Sequence, residues 1–421
     1  MEVGGRTMPE AILVEIIARL PLRIIARFKS VCKQWKSVIE SLYFRRFFIS
    51  LHKKSSSSWS LMFRSDYTHP ITEAISFHGC QTSDLPKSLG SYIIPSFQRY
   101  PNLPTSRYFY VASSNGLIWI NVFVTRTDNM AYSYKSFVGN PVLQQWVEIP
   151  PPPDQCTATG LVTRVDENGA VSGFKVVRTC DTWRRTEPRD MGGMYVWRVF
   201  VYSSETGTWT FKRLLSSHPV NYTGSYPPVN HNGMLYLREK GSDPNEPTGV
   251  LVAHDFYGPE DDNRCLVIPL PLMSSENVRR CLTTSGEDVF YVEILCPRLK
   301  VWRLNNNYSV SSEWWHLSRE QEINLASVLD CFPMAVNPFD ADIVYLWSQQ
   351  HECLVSGNLR TQEFTVHRQE SENWGDSEGC WRINTSDSKG YVEYNCNVTT
   401  VFILSPFVLQ RWMDSVPCPS N

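Results

Sequence analysis

Residues able to do chemistry are present in this chain, but not in working combinations. The nine histidines (His52, His69, His78, His218, His231, His254, His316, His351 and His367) are scattered. His254 adjoins an acid, Asp255, but neighbours on a strand point to opposite faces, so the pair cannot act as a dyad. The twelve cysteines run from Cys32 to Cys418 with no two within four positions, which excludes zinc-finger and RING spacing. Cys32 lies in a helical stretch with no histidine beside it, and reads as a small buried hydrophobe rather than a nucleophile. The acidic run Glu260-Asp261-Asp262 reads as a solvated loop rather than a cation site. Trp314-Trp315, beside His316, would cage a ligand only if both rings faced one way, and adjacent strand residues diverge. No nucleophile elbow, phosphate loop, dinucleotide fingerprint or HExxH motif occurs. The expectation is no catalytic residue, no metal and no cofactor. What the chain can offer is recognition.

Two kinds of element must carry it. Residues 1–54 hold 11 Lys and Arg against 4 Asp and Glu, whereas the full chain of 421 residues has a net charge of −2. A basic module joined to an acidic body points to an acidic partner for the module, and global charge gives no support to nucleic-acid binding. Within Thr7–Leu42, Thr7-Met8-Pro9-Glu10 has the form of a capping box with proline in the first turn. Ile12, Leu13, Ile16, Ile17 and Leu20 then recur at helical spacing. Leu20-Pro21 ends that helix. A second short helix carries Leu22, Ile24, Ile25 and Phe28. A third carries Val31, Cys32, Trp35, Val38, Ile39 and Leu42, and the module fades out through Phe44, Phe47 and Phe48. Three short helices in about 40 residues are at the limit of a self-sufficient core, yet the apolar residues exceed what one such core covers. The surplus either packs on the chain's own body or docks on another protein.

This segment resembles an F-box of the plant type. The matching residues are Met8-Pro9, Ile12-Leu13, Ile16-Ile17 and the string from Arg19 to Trp35, RLPLRIIARFKSVCKQW. Met8 stands where leucine is usual, and Ile24 where a small polar residue is common. The resemblance implies docking on the Skp-type linker of a cullin-RING ubiquitin ligase. It implies that Met8, Pro9, Ile12, Leu13 and Ile16, with Leu20, Pro21, Leu22 and Ile25, face the linker. Ile17, Phe28, Val31, Cys32 and Trp35 would divide between internal packing and contact.

His52–Ser60 (HKKSSSSWS) reads as a flexible joint. Beyond it, short runs rich in β-branched and aromatic residues alternate with turn formers. Thirteen such runs are expected as strands, from Trp59–Phe63 to Val398–Leu404. A loose repeat starts near 115, 174, 232, 287 and 341, carried by Asn115-Gly116, Phe174, Asn232-Gly233, Gly286-Glu287 and Ala341-Asp342. Several units close with an aromatic after a turn, at Trp146, Trp209 and Phe364. Those rings are expected in the core between repeats. Residues 150–153, four prolines, read as a stiff connector. Repeating four-stranded units of this kind make a propeller, whose closure protects sheet edges.

The body also resembles the F-box-associated, kelch-like domain of plant F-box proteins. The matching pieces are Ser113-Ser114-Asn115-Gly116-Leu117, Asn140-Pro141 with Gln145-Trp146, Phe174-Lys175-Val176-Val177-Arg178 and Val201-Tyr202-Ser203-Ser204-Glu205-Thr206-Gly207-Thr208-Trp209, although the kelch double glycine is missing. The expected architecture is a three-helix F-box over 1–50, a Ser-rich linker over 51–58, a propeller of six to seven blades over 59–410 and a tail over 411–421. The termini are expected to close one blade jointly. The resemblance implies a non-catalytic subunit that holds a protein target, with a cullin-RING core reached through the linker. Two other readings are a small-molecule receptor regulating target capture and a propeller enzyme. Lacking a secretory core and any run of about 18 apolar residues, the chain is expected in the cytoplasm, the nucleus or both, off the membrane and with reduced cysteines. Segments 80–104, 181–195, 216–229, 241–249 and 368–390 are the candidate rim segments, being long and interrupting the strand pattern, while the target-binding residues themselves are not readable from sequence.

Overall fold

A computed structural model describes residues 9–20, 22–52, 59–63, 71–75, 108–125, 132–141, 143–180, 193–220, 227–239, 249–271, 278–295, 297–305, 313–322, 331–367, 380–382, 401, 403–410 and 412–419. Thr7, Met8, Pro21, the 53–58 joint, the 80–104 segment and much of the other rim segments lie outside these residues.

The N-terminal module has four helices, not three: α1 (Glu10–Ile17), α2 (Leu22–Phe28), α3 (Lys33–Glu40) and α4 (Leu42–Leu51). Pro9 is the N-cap of α1 rather than part of its first turn, and its carbonyl accepts from the amides of Ile12 and Leu13 at 3.0 and 3.1 Å. Leu42, expected on the third helix, opens the fourth. Ser41 divides them, because its hydroxyl oxygen accepts from the Phe44 amide at 3.1 Å and so caps a new helix.

The body begins with β1 (Trp59–Phe63) and β2 (Ile71–Ile75). Five antiparallel meanders follow. The first is β3 (Tyr108–Ser114), β4 (Leu117–Thr125), β5 (Tyr132–Asn140) and β6 (Gln145–Ile149). The second is β7 (Cys156–Val165), β8 (Val171–Cys180), β9 (Tyr195–Ser203) and β10 (Thr208–Ser216). The third is β11 (Val229–His231), β12 (Met234–Glu239), β13 (Val250–Asp255) and β14 (Leu266–Pro269). The fourth is β15 (Arg279–Ser285), β16 (Asp288–Leu295), β17 (Arg298–Leu304) and β18 (Trp315–Glu322). The fifth is β19 (Cys331–Asn337), β20 (Asp340–Ser348), β21 (Cys353–Asn358) and β22 (Glu363–His367). Last come β23 (Cys380–Arg382) and β24 (Ser405–Val408).

The expectation of six to seven blades is corrected. Five blades are complete meanders of consecutive strands. The ring is closed by a composite sheet in the order β23-β2-β1-β24, in which β2 and β23 run parallel. Strands from both ends of the body therefore share one sheet, and β24 is its innermost strand. The closing strand lies at Ser405–Val408 and contains Pro406; of the expected run Val398–Leu404, 398–400 and 402 lie outside the described residues. Proline is tolerated because β24 pairs on one side only, with β1, so no ladder hydrogen bond needs its missing N–H. Pro333 in β19, the inner edge of the fifth blade, sits beside a register shift for the same reason.

Apolar layers fill each gap around the ring. Met62 and Phe407 of the composite sheet pack on Tyr110, Ile120 and Phe137 of the first blade. Trp119 and Val138 meet Leu161 and Phe174 between the first and second. Trp197 and Leu214 meet Leu237 and Val252 between the second and third. Tyr236 and Leu251 meet Leu282 and Tyr291 between the third and fourth. Val292, Trp347, Trp59 and Leu61 join the fourth, the fifth and the composite sheet. The repeat marks at Asn115-Gly116, Asn232-Gly233 and Gly286 fall on the turns between first and second strands. Phe174 does not; it lies inside β8, and the corresponding turn of the second blade runs from Asp166 to Gly169.

Candidate functional site

The helical module separates its apolar residues into two faces. Leu13, Val14, Ile17 and Ala18 of α1 and its C-terminal turn share one buried cluster with Ile25, Val38, Ile39, Phe44 and Phe48. One helical step away, Ile12 and Ile16 are 50% and 47% exposed, and Val31, between α2 and α3, is 58% exposed. Pro9 is exposed beside them. Leu20, Leu22, Phe28 and Trp35 are half-buried against the cluster, with the Phe28 and Trp35 rings edge-on at 4.8 Å.

The structure therefore brings Pro9, Ile12 and Ile16 together on the outer side of α1, with Val31 exposed between α2 and α3. It turns Leu13 and Ile25 inward, since they fall on the arc that meets α3 and α4. Met8 and Pro21 lie outside the described residues. Cys32 is not the buried hydrophobe expected: it is the exposed N-cap of α3, where the chain is still extended. The remaining candidates for chemistry stay apart. His254 is buried and Asp255 exposed. Glu260-Asp261-Asp262 is an exposed turn. Trp315 packs between blades and donates to the Pro269 carbonyl at 2.8 Å, while Trp314 is half-buried. Among the described residues, no group of three His, Cys, Asp or Glu could hold a metal ion.

The module's surplus also has an internal partner. Trp412, 8% exposed, belongs to the helical cluster, its ring 5.8 Å from that of Phe44 and 5.3 Å from that of Phe48. Arg45 donates to Asp414 at 2.7 Å, both side chains largely buried. Burial pushes the Asp414 carboxyl above its ordinary range, and Arg45 pulls against that. Arg46 donates to Asn168, in the turn between β7 and β8. Within the expected tail over 411–421, the described residues 412–419 form a strap. Its Val416 amide donates to Gln145, and Pro419 covers Gly207 so closely that a Cβ there would stand 2.8 Å from its ring. Between module and ring lies a cavity of about 380 Å³, bordered by Ile49, Trp412, Asn115, Asn232 and Gly286.

Sequence reading missed α4 and the strap. Ser41 ahead of Phe44 and Phe48, at i, i+4 spacing, was a signal for the helix. Trp412 carried only the hint of a large aromatic in a supposed tail, because its partners lie more than 350 positions away.

Comparison with known proteins agrees with both parts. The F-box domain family matches residues 7–47. A family described as "F-box protein At3g26010-like, beta-propeller" matches residues 57–418. "F-box protein At1g49990" of Arabidopsis thaliana is 58% identical over 446 aligned residues, covering all of both chains. "F-box protein At3g26010" of the same plant is 42% identical, covering all of this chain and 93% of its own. This chain belongs to the family of plant F-box proteins that carry an At3g26010-like β-propeller.

Proposed function

We propose that this protein is the substrate-recognition subunit of an SCF-type cullin-RING ubiquitin ligase. The observation that carries this reading is the outer apolar face of Pro9, Ile12 and Ile16, with Val31 nearby, left uncovered by a module whose inner face is already filled. Such a face favours burial against a partner, and in an F-box that partner is a Skp-type linker, through which a cullin-RING core is reached. The half-buried Leu20, Leu22, Phe28 and Trp35 would border the contact. The module's positive charge steers it toward an acidic linker surface. The chain itself performs no bond chemistry in this scheme. It raises the local concentration of target lysines near a charged conjugating enzyme held by other subunits.

In this reading the target is held on the opposite face. Turns joining first to second and third to fourth strands lie under the helical module and the strap. The described strand ends that flank 181–195 and 241–249 (second and third strands), and those that precede 216–229 and 368–390 (fourth strands), lie on the face away from the module. A protein target held there is kept away from the linker. The kelch-like subtype and a cytoplasmic or nuclear location belong to the same proposal.

Proximity labelling in cells tests it. The intact protein should label a linker, a cullin and a small set of further proteins. The Ile12→Asp/Ile16→Asp variant should lose the linker and cullin and keep the rest. Absence of linker and cullin from the intact protein's neighbours would overturn the reading.

A further inference from the structure

The docking helices do not form a module independent of the body. Their core takes in Trp412, whose ring lies tilted against those of Phe44 and Phe48 of α4, the helix that shares one buried cluster with the inner face of α1. The facing of α1 determines where Ile12 and Ile16 point, so Trp412 acts on the docking face through α4 and the shared core. Arg45 and Asp414 add a second contact with little access to water, where removing one partner leaves the charge of the other buried and unpaired.

The same strap is bound to ring closure. It leaves directly from β24, the innermost strand of the composite sheet, whose neighbour β1 comes from the other end of the body. Gln410 accepts from Asn140 at 2.8 Å and lies on Gly116, which holds the start of the strap on the first blade. β24 is the last strand made, and Trp412 and Asp414 follow it. A chain whose ring has not closed has nothing in place to complete the helical core.

We propose that Trp412 and Asp414 are positioning residues for linker docking, so that the protein recruits its ligase only after the propeller has closed. This rests on the linker reading above, in that the docking face is the thing positioned.

The test uses the full-length protein with Trp412→Ala, Trp412→Phe, Asp414→Arg and the swap Arg45→Asp/Asp414→Arg. Two quantities are read: affinity for a purified Skp-type linker, and hydrogen exchange of α1 and α4 against that of β12 and β16. Trp412→Ala should weaken linker binding by at least about tenfold and speed exchange in α1 and α4, with β12 and β16 unchanged. Trp412→Phe should recover most of both. Asp414→Arg should weaken binding and the swap should restore it, which a general loss of stability would not reproduce. Linker affinity within about twofold of the intact protein and unchanged exchange in α1 and α4 for Trp412→Ala would overturn the proposal. If the intact protein binds no linker, the docking reading falls. The exchange data then decide the strap's role alone, and unchanged α1 and α4 would overturn that too.

Discussion

Trp146 lies on Gly139 across the β5–β6 pair, so close that a Cβ on the glycine would stand 2.5 Å from the indole ring. Phe364 occupies the matching place over Gly357 in the fifth blade. The second blade has Tyr202 opposite Trp209 instead, with the rings 5.6 Å apart. The aromatics that end the repeats are thus seated on the third strand and pack toward the gaps between blades. Gly139→Ala and Gly357→Ala should each cost about 1–3 kcal/mol by overpacking. Urea unfolding of the full chain checks this; a cost under about 0.5 kcal/mol would show that the ring moves aside freely at Gly357, and at Gly139 that the Gln145 carbonyl oxygen gives way with it.

The two faces of α1 should separate stability from docking. Ile17 is fully buried, so Ile17→Asp should unfold the helical module, leaving a charge in an apolar core. Ile12→Asp, at a half-exposed position, should change stability by no more than about 0.5 kcal/mol. Hydrogen exchange of α1 to α4 distinguishes these outcomes.

Much of this organisation was legible from residue types, and the reasons are physical. The docking string is local: Ile12, Ile16 and Ile17 announce a helix by spacing alone, and Leu20-Pro21 a break. Strands such as Val250–Asp255 declare themselves because both faces are buried between blades and both select apolar residues. Non-local pairings were hidden. The composite sheet joins Trp59–Phe63 to Ser405–Val408, and a closing strand that contains proline does not read as a strand. Leu13 and Ile12 look alike in sequence, and only the position of α3 and α4 decides that one is core and the other surface.

His254 gives the fold an acid-side weakness. Burial holds its imidazole below its ordinary value, its Nδ1 meets only the Arg264 carbonyl at 3.2 Å, and its Nε2 has no partner. The unfolded chain takes up a proton below about pH 6.5 that the folded imidazole resists, so stability falls as pH drops through that value. His231, also held down by burial, adds to the same slope. Melting temperatures at pH 7.5 and 5.5 should therefore converge for His254→Leu relative to the intact protein. An unaltered difference would remove His254 from the account.

Asp342 ties the fourth blade to the fifth. It accepts from Arg319 at 2.9 Å and from Arg360, and these contacts hold its carboxyl below the usual carboxylate range, the Arg360 bond first among them. A depressed carboxylate contributes stability above its unfolded value and loses it as pH falls below about 3.8. Asp342→Asn should lower the melting temperature at pH 7, and its deficit should shrink at pH 3. Both arginines are largely exposed, so the effect is modest. A deficit as large at pH 3 as at pH 7 would assign the loss to packing instead.

The most direct measurement is isothermal titration of the purified full-length protein with a purified Skp-type linker. The intact protein should bind with a single site, and Ile12→Asp/Ile16→Asp should abolish the heat while keeping the melting temperature of the intact protein. A variant that folds normally and still binds, or an intact protein that gives no binding, would contradict the assignment of this face to the linker.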